Sequence, residues 1–418
     1  MSLKPYPAYK DGSVSWLGQV PKHWEITKFR NAFKESPEKI QTEIVGKMLS
    51  VSGYRGVEVK EYDDENKRRL DEELLGYRIV RRGQLVVNTM WLNYAGLGVS
   101  EHEGHVSPAY RSYWINDGFS DRFVHYMMRC DSFVLGYTSF LTGIRPNSLQ
   151  MSRDDLMSFQ LLKPPVSEQI DIAAFLDSET CKIDGLISEQ EKLITLLKEK
   201  RQATISHAVT KGLDPAALMK ETEVEWLGQI PAHWELKAMK RAVVLQRGHD
   251  LASEERVPGP IPVVSSGGIT GYHNQAITKA PTIVTGRYGT IGEFSFVEEN
   301  CWPLNTALYA VQMYDNHPKY IWFLLQANKA HFVLNSLKAA VPGVDRNDIH
   351  PIKIAIPDLN EQKSICTFLD GQLSKLDALT TEANRVIELL NERRAALISA
   401  AVTGKIDVRG YKSEQEAA

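Results

Sequence analysis

Pro164-Pro165-Val166-Ser167-Glu168-Gln169 opens a stretch that runs through Phe175-Leu176-Asp177 and Ile183-Asp184. It closes on Lys200-Arg201-Gln202-Ala203-Thr204-Ile205-Ser206 and then Val209-Thr210-Lys211-Gly212. The same order returns as Pro357, Glu361-Gln362, Phe368-Leu369-Asp370, Leu376-Asp377, Arg394, Ile398-Ser399 and Val402-Thr403-Gly404. Leu176 and Leu369, Asp184 and Asp377, and Val209 and Val402 each lie 193 residues apart. A single offset held over so long a stretch marks a tandem duplication, and that sets the architecture before any local reading.

Both stretches, 167–210 and 360–403, read as long helices. Leu176, Ile183, Leu186, Leu193 and Leu197, with Gln190 and Thr204 between them, form a narrow apolar seam in the first. Leu369, Leu376, Leu379, Ala383, Val386, Leu390, Leu397 and Ala400 form it in the second. Steps of three, four and seven are the spacing of a helix that needs one partner along its length. Neither stretch contains an internal proline. Ser167 and Asn360 are expected to cap the N-termini, and Gly212 and Gly404 to close the C-termini. About 43 residues at roughly 1.5 Å each make a rod of about 65 Å, whose simplest partner is the other copy. The charges favour an antiparallel pair, with Glu168, Asp171 and Asp177 near Arg393 and Arg394, and with Lys198, Lys200 and Arg201 near Glu361 and Asp370.

A second repeat has its own offset. Trp16-Leu17-Gly18-Gln19-Val20-Pro21-Lys22-His23-Trp24-Glu25 returns as Trp226-Leu227-Gly228-Gln229-Ile230-Pro231-Ala232-His233-Trp234-Glu235, 210 residues on. It is too short and too punctuated by Gly and Pro for a helix, and reads as a clasp at the entrance to each globular half. A packed or capping role for His23 and His233 outweighs a functional one.

The first half, 26–163, alternates short strands (47–51, 77–80, 83–88, 109–115) with turns. A helix is expected over 121–135, and 58–75 reads as a solvated charged helix or loop. The second half carries strand-then-glycine units, Pro262-Val263-Val264-Ser265-Ser266-Gly267-Gly268 and Thr282-Ile283-Val284-Thr285-Gly286-Arg287-Tyr288-Gly289, then a helix over 319–325. The distance from clasp to rod differs by 17 residues between the halves. The frame is repeated and its contents have changed. The expected division is 1–163 (clasp and first body), 164–214 (first rod), 215–356 (linker, clasp and second body), 357–410 (second rod) and 411–418 (flexible tail).

Of the 418 residues 43% are hydrophobic, enough for sizeable cores, and the net charge is −3. A generic polyanion binder would be basic, so any nucleic-acid surface must be local. There is no 18-residue apolar run and no leader pattern over residues 1–9, which predicts a soluble cytoplasmic chain. Cys130, Cys181, Cys301 and Cys366 are scattered and form no CxxC pair, so neither disulfides nor zinc are indicated. No phosphate loop, dinucleotide fingerprint or HExxH occurs. Pro357-Asp358…Glu361-Gln362-Lys363 imitates a nuclease metal motif, but it straddles a helix start. The first copy has Pro165 and Ile170 where Asp358 and Lys363 stand.

What remains are polar residues on glycine turns, the kind that approach phosphates or base edges. In the second half these are Ser265, Ser266, Arg287, Tyr288, Arg346 and Asn347. In the first half they are Ser52, Tyr54, Arg55, Asn88, Trp91, Arg145 and Asn147. Any one of them is as readily a surface ion pair as a base contact.

The doubled motifs resemble the specificity subunits of type I restriction–modification systems. The likeness rests on the two clasps, on PPVSEQIDIAAFLD with its copy PDLNEQKSICTFLD, and on EKRQATISHAVTKGLD with its copy ERRAALISAAVTGKID. Leu49-Ser50-Val51-Ser52, Gly104-His105-Val106-Ser107-Pro108-Ala109-Tyr110 and Leu141-Thr142-Gly143-Ile144-Arg145 also fit. The resemblance implies a mixed α/β (α+β) fold with a pseudo-twofold internal repeat: two target-recognition domains joined by two long antiparallel coiled-coil helices. Each domain would read one half of a split double-stranded DNA site, and the coiled coil would set the spacer. Two such readers should dock about one DNA turn, roughly 34 Å, apart. The resemblance also implies that the chain has no catalytic centre and no bound cofactor. Two methyltransferase subunits would use S-adenosylmethionine, and restriction subunits would use ATP and Mg. The alternatives are a solitary methylation system and a fused restriction enzyme with its own catalytic site.

Overall fold

A computed structural model of the chain describes residues 4–53, 55–62, 71–142, 150–337 and 342–411. Two long helices, Val166–Lys211 and Leu359–Val402, run through a mixed helix-and-strand fold. The chain divides into two compact units, Met1–Glu189 with Val386–Ala418, and Gln190–Arg385. Each unit therefore holds half of each rod.

In unit 1 a four-stranded antiparallel sheet has the order Phe33–Glu35, Arg111–Ile115, Leu85–Val87, Leu97–Val99. Beside it a hairpin, Lys47–Ser52 with Gly56–Val59, is extended by Gly104–Val106, parallel to the first strand. The helix expected over 121–135 is two, Asp121–Arg129 and Asp131–Thr138, because the Cys130 backbone is extended. The core gathers Phe29, Tyr113, Phe123 and Phe159 with Phe175 and Leu176 of the first rod and Ala401 and Val402 of the second.

Unit 2 repeats the plan. Its sheet has the order Val244–Arg247, Ala307–Gln312, Thr282–Gly286, Phe294–Val297. Its hairpin, Ile261–Ser265 with Gly268–His273, is extended by Trp302–Pro303, again in parallel. Leu197, Ile205 and Val209 of the first rod share a core with Ile365, Leu369 and Leu373 of the second.

The rods are antiparallel. In unit 1 Arg394 lies 3.7 Å from Asp184, and in unit 2 Arg201 donates to Asp377. These are one ion pair written twice, since Asp184 matches Asp377 and Arg201 matches Arg394 at the rod offset. The pairs expected from the sequence are engaged elsewhere: Asp177 holds Arg122, Asp370 holds Lys319, and Glu168 and Glu361 serve the clasps.

The seam also differs in phase. Leu186, Leu193 and Leu379 are 53%, 41% and 54% exposed. Ile187, Ile194 and Thr380 face inward in their stead. The observed run is 176, 180, 183, 187, 190, 194, 197, with its copy 369, 373, 376, 380, 383, 387, 390. Strict alternation of four and three is the heptad of a left-handed coiled coil. Buried Thr180 sets the phase: its hydroxyl donates to the Leu176 carbonyl at 2.6 Å, which satisfies it inside the seam.

The caps divide between confirmation and correction. The helices start one residue early, so Ser167 and Asn360 fall inside the first turn. Asp358 caps the second rod, accepting from Asn360 N at 2.8 Å and Glu361 N at 2.9 Å. Its counterpart is Pro165, whose carbonyl accepts from Gln169 N. Gly212 and Gly404 do end the rods in the left-handed conformation, with φ +76° and +72°.

The two glycines sit in different surroundings. A Cβ on Gly404 would stand 2.4 Å from two Pro21 ring carbons, whereas one on Gly212 finds nothing closer than 3.3 Å. Gly404→Ala should therefore cost about 2–4 kcal/mol, from left-handed strain plus ring collision, and Gly212→Ala only about 1–2 kcal/mol. Urea unfolding of the two variants side by side checks this, and equal losses would contradict the collision.

Candidate nucleic-acid interface

The repeated Glu-Gln at each rod start explains the clasps. Glu168, 3% exposed, accepts from Trp24 Nε1 at 3.1 Å and from the Tyr6 hydroxyl, and pairs with His23 Nε2 at 2.8 Å. Glu361 accepts from Trp234 Nε1 at 3.0 Å and pairs with His233 Nε2 at 2.8 Å. The two histidines are thus structural, as expected. Gln169 accepts from Ser120 N and donates to the Gly118 and Pro164 carbonyls. Gln362 accepts from His317 N and donates to Asn316 and Pro357. One residue of each pair grips the clasp and the other grips the body. The imitation of a nuclease motif is thereby accounted for, since Asp358 is a cap and Glu361 a clasp ligand.

In unit 2 the candidate residues converge. Ser265 turns the hairpin, its hydroxyl accepting from Gly267 N and donating to the Gly268 carbonyl. The Ser266 carbonyl accepts from the Thr290 hydroxyl, which ties the tip to the Arg287-Tyr288-Gly289 loop. The Arg287 guanidinium lies 4.7 Å from the centre of the Tyr288 ring. The Arg287 carbonyl accepts from Val344 N at 2.9 Å, bringing in the loop that leads to Arg346 and Asn347. A groove of about 490 Å³ is lined by Arg287, Arg346 and Asn347 together with Gln246, Arg247, His249, Asp250 and Asp345. Three guanidiniums against two carboxylates give a local positive site on an acidic chain. Sequence reading missed Arg247 and His249. Arg247 is the last residue of its strand and His249 lies two residues beyond, with no glycine turn before the strand to mark them.

In unit 1 Ser52 ends the hairpin's first strand, and its hydroxyl accepts from Arg55 N at 3.1 Å. Arg55 reaches Glu58 at 3.2 Å and stays largely in solvent. Asn88 is buried and spends its side-chain oxygen on Met90 N, so it shapes its loop. Trp91 and Tyr94 are exposed, with ring centres 5.7 Å apart. Arg129, also missed, knots the hairpin to this aromatic loop. It donates to the Ser52 and Gly53 carbonyls on one side and to those of Ala95 and Leu97 on the other. Burial, then the neighbouring Arg394 charge, lowers its pKa to about 10. Tyr54, Arg145 and Asn147 lie outside the described residues.

A third cluster in unit 1 was not foreseen. Glu35 accepts from Arg111 at 3.1 Å and Arg153 at 3.2 Å, and lies 3.5 Å from Arg78. Among the described residues no His, Cys, Asp and Glu group is arranged to hold a metal ion, and no helix is long and apolar enough to cross a membrane.

Residues 242–389 match the model of the type I restriction modification DNA specificity domain. The putative type I restriction enzyme MjaX specificity subunit of Methanocaldococcus jannaschii is 19% identical over 437 residues, covering 94% of this chain and 96% of its own. The chain is similar to type I restriction–modification specificity subunits over most of its length. The StySPI specificity subunit of Salmonella potsdam is 30% identical over 89 residues, 20% of this chain and 19% of that relative. A solved chain, described under complex assembly and conformational transition of the type I R-M system, superposes with a TM-score of 0.72 at 13% identity, over 93% of this chain and 99% of its own. At that identity the likeness speaks for the fold alone. The two chains share one fold over nearly their whole lengths.

Proposed function

We propose that the chain is the DNA-recognition subunit of a type I restriction–modification complex. Each unit reads one half of an asymmetric bipartite site in double-stranded DNA, and the rods set the spacer. The observation that carries this reading is that the two units share strand order and hairpin placement while the residues lining their mouths differ. Arg287 and Asn347 line the groove of one, and the hairpin and aromatic loop of the other carry Ser52, Arg55 and Trp91. One frame holding two unlike surfaces suits two unlike half-sites.

Bond-making and bond-breaking fall to recruited proteins: two methyltransferase subunits with S-adenosylmethionine, and restriction subunits with ATP and Mg. The chain itself holds no cofactor and acts in the cytoplasm. The assignment of bond-breaking to other proteins is supported by the structural use of Asp358 and Glu361, the residues that imitate a nuclease motif.

Arg287→Ala tests the reading in the complex with methyltransferase. A guanidinium that reads a base should cost about 1–3 kcal/mol of discrimination at one position. Mapping of methylated sites should show relaxed choice in one half-site, with the other half-site and the spacer unchanged. Relaxation in both half-sites, or in neither, would count against one reader per unit.

A further inference from the structure

Three arginines of unit 1 share one carboxylate. Glu35 is the shared acceptor for Arg111 and Arg153 and the near neighbour of Arg78. Arg78 is 6% exposed, and its Nε is buried without an acceptor. Burial and the adjacent Arg111 charge lower its pKa from the usual guanidinium value. The Arg153 side chain, at the mouth of the cluster, is 65% exposed. A pair that served the fold alone would balance its charges. Here three cations meet one anion, and the excess faces solvent at Arg153.

The internal repeat says what this cluster corresponds to. The 193-residue offset of the rods extends upstream of them: Met151 matches Val344, Ser152 matches Asp345, Arg153 matches Arg346 and Leu156 matches Ile349. The structure repeats with the sequence. Met151 and Val344 are both buried, as are Leu156 and Ile349. Ser152 and Asp345 each cap the short helix that follows. Met151 N donates to the Thr89 carbonyl, and Val344 N donates to the Arg287 carbonyl. Each is thus tethered just beyond a central strand of the sheet. Glu35 lies opposite Tyr113 in the strand pairing, and Gln246 lies opposite Tyr309. Arg153 therefore stands in unit 1 where Arg346 stands in the groove of unit 2. Arg78 and Arg111 reinforce it, in place of Arg247 and Arg287.

We infer that Arg153, backed by Arg111 and Arg78, binds a backbone phosphate of duplex DNA in unit 1, in the place that Arg346 takes in unit 2. This rests on the reading that both units bind DNA. A phosphodiester carries one negative charge and two free oxygens, which suits a guanidinium already oriented by Glu35 on one edge. A backbone contact carries no sequence information, so the cluster anchors unit 1 and leaves base choice to the hairpin and aromatic loops.

The test measures affinity of the complex with methyltransferase for its duplex across a salt series. Arg153→Ala should weaken binding by about three- to tenfold, reduce the slope of log affinity against log salt by about one, and leave the methylated sequence unchanged. Arg153→Lys, which keeps the charge, should retain the slope. Arg346→Ala should behave like Arg153→Ala. If Arg346→Ala lowers the slope and Arg153→Ala does not, the inference fails and the reading of function stands. A fall in melting temperature with an unchanged slope would make Arg153 a structural partner of Glu35 and would also overturn it. Wild-type complex without salt-dependent binding would remove the functional reading itself. Should Arg153→Ala not assemble, Arg153→Gln provides the same slope measurement.

Discussion

Removing one heptad from each rod, residues 187–193 and 385–391, will shorten the recognised spacer by about three base pairs and leave both half-site sequences as they were. Seven helical residues span about 10 Å, and a base pair rises about 3.4 Å. The choice of residues follows from the two ion pairs. Asp184 with Arg394 and Arg201 with Asp377 fix which positions face each other along the antiparallel pair. Both excisions preserve the alternation of four and three, so the seam closes again in phase. The reading loops are untouched. Methylation-site mapping with the full complex gives the result directly, and an unchanged spacer would show that something other than the rods measures the gap. Excision from one rod alone should abolish assembly, because the matched ion pairs could not both form.

Trp24→Ala will be the most damaging single substitution in the frame of unit 1, at about 3–5 kcal/mol. The indole is fully buried. It donates to Glu168 at the start of one rod and lies against Gly404 at the end of the other, where an added Cβ would come 3.1 Å from its ring. Deletion leaves a large cavity and strips a donor from a buried carboxylate. Trp24→Phe separates the two contributions. It keeps most of the volume and loses only the charge-assisted bond, for about 1.5–3 kcal/mol. Denaturant unfolding of both variants should rank them in that order. Equal losses would mean that the hydrogen bond, and not the packing, holds the clasp.

The frame was legible in the sequence because duplication writes each constraint twice. The rods and their glycine ends followed from matched positions; the antiparallel order was read from charges, and it holds through other pairs than those expected. The seam's phase did not, because Leu186 and Leu193 compete with Ile187 and Ile194 for the same face. The residue that decides between them, Thr180, is polar and so carries no apolar signal. The caps were misplaced because Asp358 has Pro165 as its counterpart, and a cap present in one copy only leaves no repeat to find.

At the candidate interface, Arg287, Arg346 and Asn347 come together as glycine turns suggested. Arg153 was within reach of the same offset that revealed the rods, applied a few residues further upstream. Attention to glycine loops drew the eye to Arg145. Arg129 had no local signal, since its role is to join two loops far apart in the chain.

One pairing has a consequence for how such a chain can change. The strand that leaves each clasp lies beside the strand that enters the following rod: Glu25 opposite Lys163 in unit 1, and Glu235 opposite Ile356 in unit 2. Each body is therefore an insertion whose two ends emerge side by side. A foreign body with neighbouring ends could be spliced in at that gate as a cassette, while Trp24, Glu168 and Gly404 kept the mount unaltered. New specificities could then arise by exchange of whole bodies, one half-site at a time, with the spacing inherited.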